Sequence, residues 1–224
     1  MNPSNQPVQP GQFQSQSFQR QVTRTVGCNY LISLPQGYEQ SNQRWPLLIF
    51  LHGAGERGDD VQRVALQGPF RLMKEGKQFP AIVVAPQCAK DEWWDVDVLM
   101  AMLAEISEKY RVDEDRIYLT GMSMGGYGTW MWASREPERF AAIVPICGGG
   151  NKLLAWKLTK IPIWAFHGVK DPTVPVQESQ RMVDAVNAAG GKALLTLYPD
   201  VAHEAWAPAY QNQEMWDWMF QQHR

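Results

Sequence analysis

The stretch best equipped for chemistry is the pentapeptide Gly121-Met122-Ser123-Met124-Gly125. It follows an apolar run, Arg116 to Thr120, and precedes a helix-compatible segment, Gly126 to Ser134. A serine on a sharp turn between a strand and a helix is pushed out to solvent. Glycines on both sides make room for the packed chain, and the helix N-terminus beneath favours developing negative charge. Such a serine is placed to attack a carbonyl carbon. Its hydroxyl is a weak nucleophile alone, so the chain must also supply a base and a carboxylate that orients the base.

With only four histidines in the chain, the base can be found by position. His223 lies beside the C-terminus, while His52 and His167 each close an apolar run and precede glycine. His203 lies in the loop Asp200-Val201-Ala202-His203-Glu204, after the last strand-like segment. In an open α/β sheet, the loops beyond the carboxyl ends of the strands build the site, which selects His203 as base. Asp171 follows the preceding apolar run, Ile161 to Phe166, and is the expected orienting acid. Glu204 competes for that role, but neighbouring residues point apart. Acyl transfer also needs donors for an oxyanion. The backbone N–H of Met124, next to the serine, and that of Ala54, in the loop Leu51-His52-Gly53-Ala54-Gly55-Glu56, are the expected pair.

Other motifs fail on inspection. Gly53-Ala54-Gly55-Glu56-Arg57-Gly58 matches Gly-x-Gly-x-x-Gly, but no apolar helix start follows and the next strand carries no acid for a ribose. His203-Glu204-Ala205-Trp206-Ala207 lacks the second histidine of a zinc helix, and Cys28, Cys88 and Cys147 form no Cys-x-x-Cys pair. No metal or other cofactor is expected, and the cysteines read as three free thiols.

The elements that must hold these groups alternate between strand and helix patterns, which argues for an α/β fold with a mostly parallel central sheet covered on both faces. Gln19 to Thr25 and Cys28 to Leu34 read as two opening strands around a turn at Gly27. Pro46–Leu51, Ala81–Ala85, Arg116–Thr120, Phe140–Ile146, Ile161–Phe166 and Lys192–Tyr198 read as buried strands. Asp95–Tyr110, Pro175–Ala189 and Gln211–Gln222 read as helices. No long insertion separates these elements, so no large cap domain is expected and the cleft should be open. Trp94 and Trp206 are expected to line it for substrate; for Trp93 ordinary packing is the more favoured role.

The chain has 224 residues, 21 basic and 23 acidic, giving a net charge of −2. That balance recommends neither nucleic acid nor an anionic membrane as partner. No stretch is long and apolar enough to span a bilayer. Residues 1–20, rich in Gln and Pro, read as a disordered polar tail or linker without signal-peptide features, and residues 21–224 as a single catalytic domain.

Together, Leu51-His52-Gly53-Ala54-Gly55, Ala85-Pro86-Gln87-Cys88, Gly121-Met122-Ser123-Met124-Gly125-Gly126, His167-Gly168-Val169-Lys170-Asp171 and Ala202-His203-Glu204-Ala205-Trp206 resemble the α/β-hydrolase superfamily. The likeness spans residues 28 to 220. It is strongest to small single-domain carboxylesterases and predicted peptidases related to polyhydroxybutyrate depolymerases and feruloyl esterases. The order Ser123, Asp171, His203 suits that superfamily. The resemblance implies an α/β-hydrolase fold and cofactor-free hydrolysis of a small-molecule or polymer-borne ester, with short-chain and feruloyl-type esters expected. A peptidase or thioesterase using the same three residues, and a binding module with a vestigial site, are the alternatives. Relatives of this kind are often secreted, whereas this sequence shows no signal peptide, so its location stays open.

Overall fold

The computed structural model describes residues 10–224; residues 1–9 of the expected tail lie outside the described residues. The chain runs through β1 (Tyr30–Ser33), β2 (Trp45–Leu51), α1 (Gly68–Lys74), β3 (Ile82–Pro86), α2 (Val96–Lys109), β4 (Val112–Met122) and α3 (Met124–Arg135). It continues through β5 (Ala142–Ile146), β6 (Ile163–Gly168), α4 (Gln177–Ala188), β7 (Ala193–Tyr198), α5 (Trp206–Gln211) and α6 (Gln213–Phe220).

The strands form one sheet in the order β1-β3-β2-β4-β5-β6-β7, with β1 antiparallel to β3 and every other pairing parallel. Both faces are covered, which is why β2, β3 and β5 are continuous apolar runs. The two-residue strand period splits β2 between two cores. Leu47, Ile49 and Leu51 pack with Leu99, Leu103, Trp130 and Val186 on the α2/α3/α4 face. Leu48 and Phe50 pack with Phe70, Tyr210 and Trp216 on the α1/α5/α6 face. Much of the tryptophan content is spent here, since Trp130, Trp132 and Trp216 are fully buried.

From β2 the chain steps outward to β3, then returns across β2 to place β4 on its other side. The connections leaving β2 and β4 therefore diverge, opening a crevice at the carboxyl ends of those strands. Among the described residues no cap domain is inserted at this edge: the link from β5 to β6 holds only the 3-10 segment Lys152–Leu158, and β6 reaches β7 through α4.

Three expectations need correction. Gln19–Thr25 forms no strand and no hairpin turns at Gly27, because the segment has no apolar face to bury: Val22 is exposed, and Arg24 instead pairs with Asp95 at 2.7 Å. The opening strand is only Tyr30–Ser33. Two helices were not anticipated. α1 begins at Gly68-Pro69, a pair that reads as a turn but here places proline in the first helical turn, where its missing N–H costs nothing. α5 is a single short segment whose Ala209 and Tyr210 are buried. Cys28, Cys88 and Cys147 are free. Among the described residues no helix is long and apolar enough to cross a membrane.

Candidate active site

Ser123 sits between β4 and α3 with φ 54° and ψ −118°, a backbone region that L side chains rarely occupy. Its own N–H donates to the Ile146 carbonyl on β5 at 3.0 Å. The glycines around it are dictated by contact. A Cβ on Gly125 would lie 1.9 Å from the Leu51 carbonyl oxygen, and one on Gly121 would lie 2.3 Å from the Gly125 carbonyl oxygen. α3 thus presses onto the ends of β2 and β4, and Ser123 has nowhere to go but out.

His203, in the loop after β7, reaches that hydroxyl. Its Nε2 lies 2.8 Å from Ser123 Oγ and its Nδ1 lies 2.7 Å from Asp171 Oδ2. Asp171, in the loop after β6, has a fully buried side chain. Its Oδ1 accepts the N–H groups of Thr173 at 2.8 Å and Val174 at 2.9 Å. Burial pushes the Asp171 carboxyl up, but His203 and those two amides outweigh it and hold the group below its ordinary range. Asp171 is therefore ionised at neutral pH and orients the His203 ring. Glu204 is exposed, and the carboxylate bonded to His203 is that of Asp171.

The expected oxyanion donors occupy suitable positions. Met124 is the first residue of α3, and Ala54 is the first residue of the 3-10 turn Ala54–Glu56. First-turn amides have no acceptor within their own helix, so both can serve an external oxygen. Gly53, just before Ala54, faces Ser123, since its Cβ position lies 3.6 Å from the serine Cβ. The loop carrying Ala54 is pinned by Arg57 Nε to the Ala54 carbonyl, Arg63 Nη2 to the Gly55 carbonyl at 2.7 Å, and Gln87 Nε2 to the Glu56 carbonyl at 2.8 Å. His52 pins its base. His52 Nδ1 donates to the Gly53 carbonyl at 2.6 Å and Nε2 accepts the Cys88 N–H at 2.9 Å, so the ring must be neutral. Burial lowers its pKa to about 4.

The tryptophans lie at two places near the site. Trp94 is largely buried, its ring 4.7 Å from His52 and its edge against Gly128, and with Trp93 it lines one of the two neighbouring cavities. Trp93 is the half-exposed neighbour, packed edge-on to Tyr127 in the first turn of α3. Trp206 meets the His203 ring edge-to-face at 5.2 Å. Cavities of about 610 Å³ beside Trp93 and about 220 Å³ beside Trp206 flank the site, and neither is lined by Ser123.

Sequence reasoning gave Cys147 no role. It has φ 40°, and its Sγ lies within 4.8 Å of ligand atoms of Asp171 and His203. Asp171 and His203 are bonded to each other, and burial pushes the Cys147 thiol far up.

The sheet order and this site define an α/β-hydrolase. The profile of the dienelactone hydrolase family matches residues 74–215, and the chain belongs to that family. Among curated proteins it is 25% identical over 175 residues to a probable feruloyl esterase C of Aspergillus terreus, covering 73% of this chain and 62% of that one. Against a feruloyl esterase C of Emericella nidulans it is 25% identical over 185 residues, covering 75% and 63%. The chain thus spans a little under two thirds of these relatives. A solved thermostable esterase superposes with a TM-score of 0.75 at 36% identity, covering 87% of this chain and 59% of that one. A ferulic acid esterase superposes with a TM-score of 0.64 at 20% identity, covering 85% and 92%, a likeness of fold.

Two outcomes follow from the site's construction. Gly125→Ala should destabilise the protein by on the order of 3 kcal/mol, because the backbone carbonyl it meets cannot swing aside; thermal melting measures this. His52 binds its proton less readily folded than unfolded, where imidazole titrates near 6.5. Its contribution is therefore fully present above pH 6.5 and is lost as pH falls from there towards 4. Urea unfolding at pH 7, 6 and 5 should show that decline, and His52→Gln should flatten it.

Proposed function

We propose that the chain is a carboxylic ester hydrolase that works through a serine acyl-enzyme. The observation that carries this reading is the continuous line from Ser123 Oγ through His203 to Asp171, at 2.8 and 2.7 Å. His203 Nε2 takes the Ser123 proton as Oγ bonds to the ester carbonyl carbon. The carbonyl oxygen becomes an oxyanion held by the Ala54 and Met124 amides. Collapse breaks the bond to the alcohol, which leaves with the proton from His203. Water then gives a proton to His203 and attacks the acyl carbon, releasing the acid and restoring Ser123. Asp171 stays ionised throughout and stabilises the imidazolium.

The substrates are short-chain and aromatic, feruloyl-type esters. Support comes from the names of the relatives, from the absence of a cap among the described residues, and from two indoles near the site, the half-exposed Trp93 packed on Tyr127 of α3 and Trp206 packed on His203. Planar acyl groups gain stacking and buried area there.

Ser123→Ala should lower kcat on p-nitrophenyl acetate by on the order of 10⁴-fold or more with the melting temperature unchanged. Asp171→Asn should cost about 10⁴-fold, whereas Glu204→Gln should leave turnover near normal. Near-normal turnover by a folded Ser123→Ala protein would sink the serine mechanism. With acetyl, butyryl, feruloyl, decanoyl and palmitoyl esters, kcat/KM should be high for the first three and decline for acyl chains of about ten carbons or more, which an open cleft cannot bury. A palmitoyl optimum with an inert feruloyl ester would mark a lipase instead.

A further inference from the structure

Asp171 faces a second histidine. His167 lies at the end of β6 with no exposed surface, and its Nε2 is 3.3 Å from Asp171 Oδ2, the same oxygen that His203 engages. That nitrogen is also 2.9 Å from the Val174 carbonyl oxygen. Both neighbours of Nε2 are acceptors, so Nε2 must carry a proton. On the other side, Nδ1 lies 2.7 Å from Ser179 Oγ, in the first turn of α4. Ser179 has one proton and a second acceptor in reach, the Gly148 carbonyl at 2.9 Å.

We propose that His167, anchored by Ser179 and with its proton on Nε2, is a positioning residue that fixes the Asp171 carboxylate and the 171–174 loop for His203. This rests on the proposed roles of Asp171 and His203. The Nε2–H group spans the two things that must not move. It donates to the carbonyl of Val174, whose own N–H donates to Asp171 Oδ1. It also stands 3.3 Å from Oδ2, the oxygen that His203 engages. Asp171 is thereby clamped from the strand it leaves and from the loop it enters. Burial disfavours a charged ring here and lowers the pKa of His167, so the clamp is a neutral donor that leaves the negative charge of Asp171 for His203. With the ring neutral and its proton on Nε2, Nδ1 is an acceptor, so the single Ser179 proton turns to it at 2.7 Å in preference to the Gly148 carbonyl at 2.9 Å. A proton on Nδ1 in place of Nε2 would leave lone pairs facing both Val174 and Asp171.

The test compares His167→Leu, His167→Gln and Ser179→Ala. His167→Leu should lower kcat on p-nitrophenyl acetate by on the order of 10²-fold, the cost of a slight misplacement of reacting groups, with KM nearly unchanged. His167→Gln offers a carboxamide N–H towards Val174 and should recover most of that loss. Ser179→Ala should fall between them. The far-downfield proton resonance of the His203–Asp171 hydrogen bond should weaken in His167→Leu and return in His167→Gln. Recorded in a Ser123→Ala background, that resonance needs no turnover, so it tests the clamp even if the serine mechanism fails. Should His167→Leu not fold, the Gln and Ser179→Ala proteins decide the matter by the same resonance. A folded His167→Leu protein with unchanged kcat and resonance overturns the proposal. So does a folded His167→Gln protein impaired as much as His167→Leu, or a folded Ser179→Ala protein whose kcat and resonance match the wild type.

Discussion

Everything at the site depends on one strained residue. Ser123 holds φ 54°, a conformation that costs of order 1–3 kcal/mol for a side chain of this kind. It persists because the surroundings over-determine it. α3 is pressed against the Leu51 and Ile146 carbonyls with only glycine between, and the Ser123 N–H is tied to Ile146 on the neighbouring strand. The strain is offset by a core filled on both faces of the sheet. Relaxing the turn would pull α3 off β2 and β4. It would also withdraw the hydroxyl from His203 and the Met124 amide from the crevice. The proposed nucleophile, the proposed oxyanion donor and the helix packing are therefore one constraint seen from three sides.

The second determinant is electrostatic. A carboxylate buried as fully as Asp171 would normally take up a proton. It stays charged because four groups gather round it: the Thr173 and Val174 amides, His203 and His167. The loops after β5, β6 and β7 meet at this charge. His52 plays a comparable part on the other side of Ser123, joining the loop after β2 to the loop after β3 through Gly53 and Cys88. Both buried histidines hold loops while His203, the partly exposed one, reaches the serine.

Much of this was legible in the sequence. Buried parallel strands are continuous apolar runs, so β2 to β7 were recognised to within a few residues. The serine turn was marked by its Gly-x-Ser-x-Gly motif, and the acid after β6 and the histidine after β7 by their place at the carboxyl edge of the sheet. The rest was hidden for physical reasons. Trp93 and Trp94 are adjacent, and which indole faces the core depends on how the loop enters α2; chain pattern carries no such information. Gln19–Thr25 alternates weakly, but its partner surface is absent. His167 and Ser179 lie 12 residues apart on different elements, and only the packing of α4 against β6 makes them a pair. Cys147 looked like an ordinary core thiol, since nothing local marks its positive φ or its place behind the catalytic line.

The same packing bears on specificity. On the proposed function, a substrate would itself have to shield the reacting carbonyl from water. A planar aromatic acyl group would do this economically: it is rigid, loses few rotamers on binding, and gains stacking against an indole such as Trp93 or Trp206. A long alkyl chain has many rotamers to freeze and no channel to fill. On the proposed reaction the alcohol leaves over the carboxyl edge of the sheet, where among the described residues the link from β5 to β6 holds only the 3-10 segment Lys152–Leu158. Discrimination would then reside in the acyl group more than in the size of the alcohol.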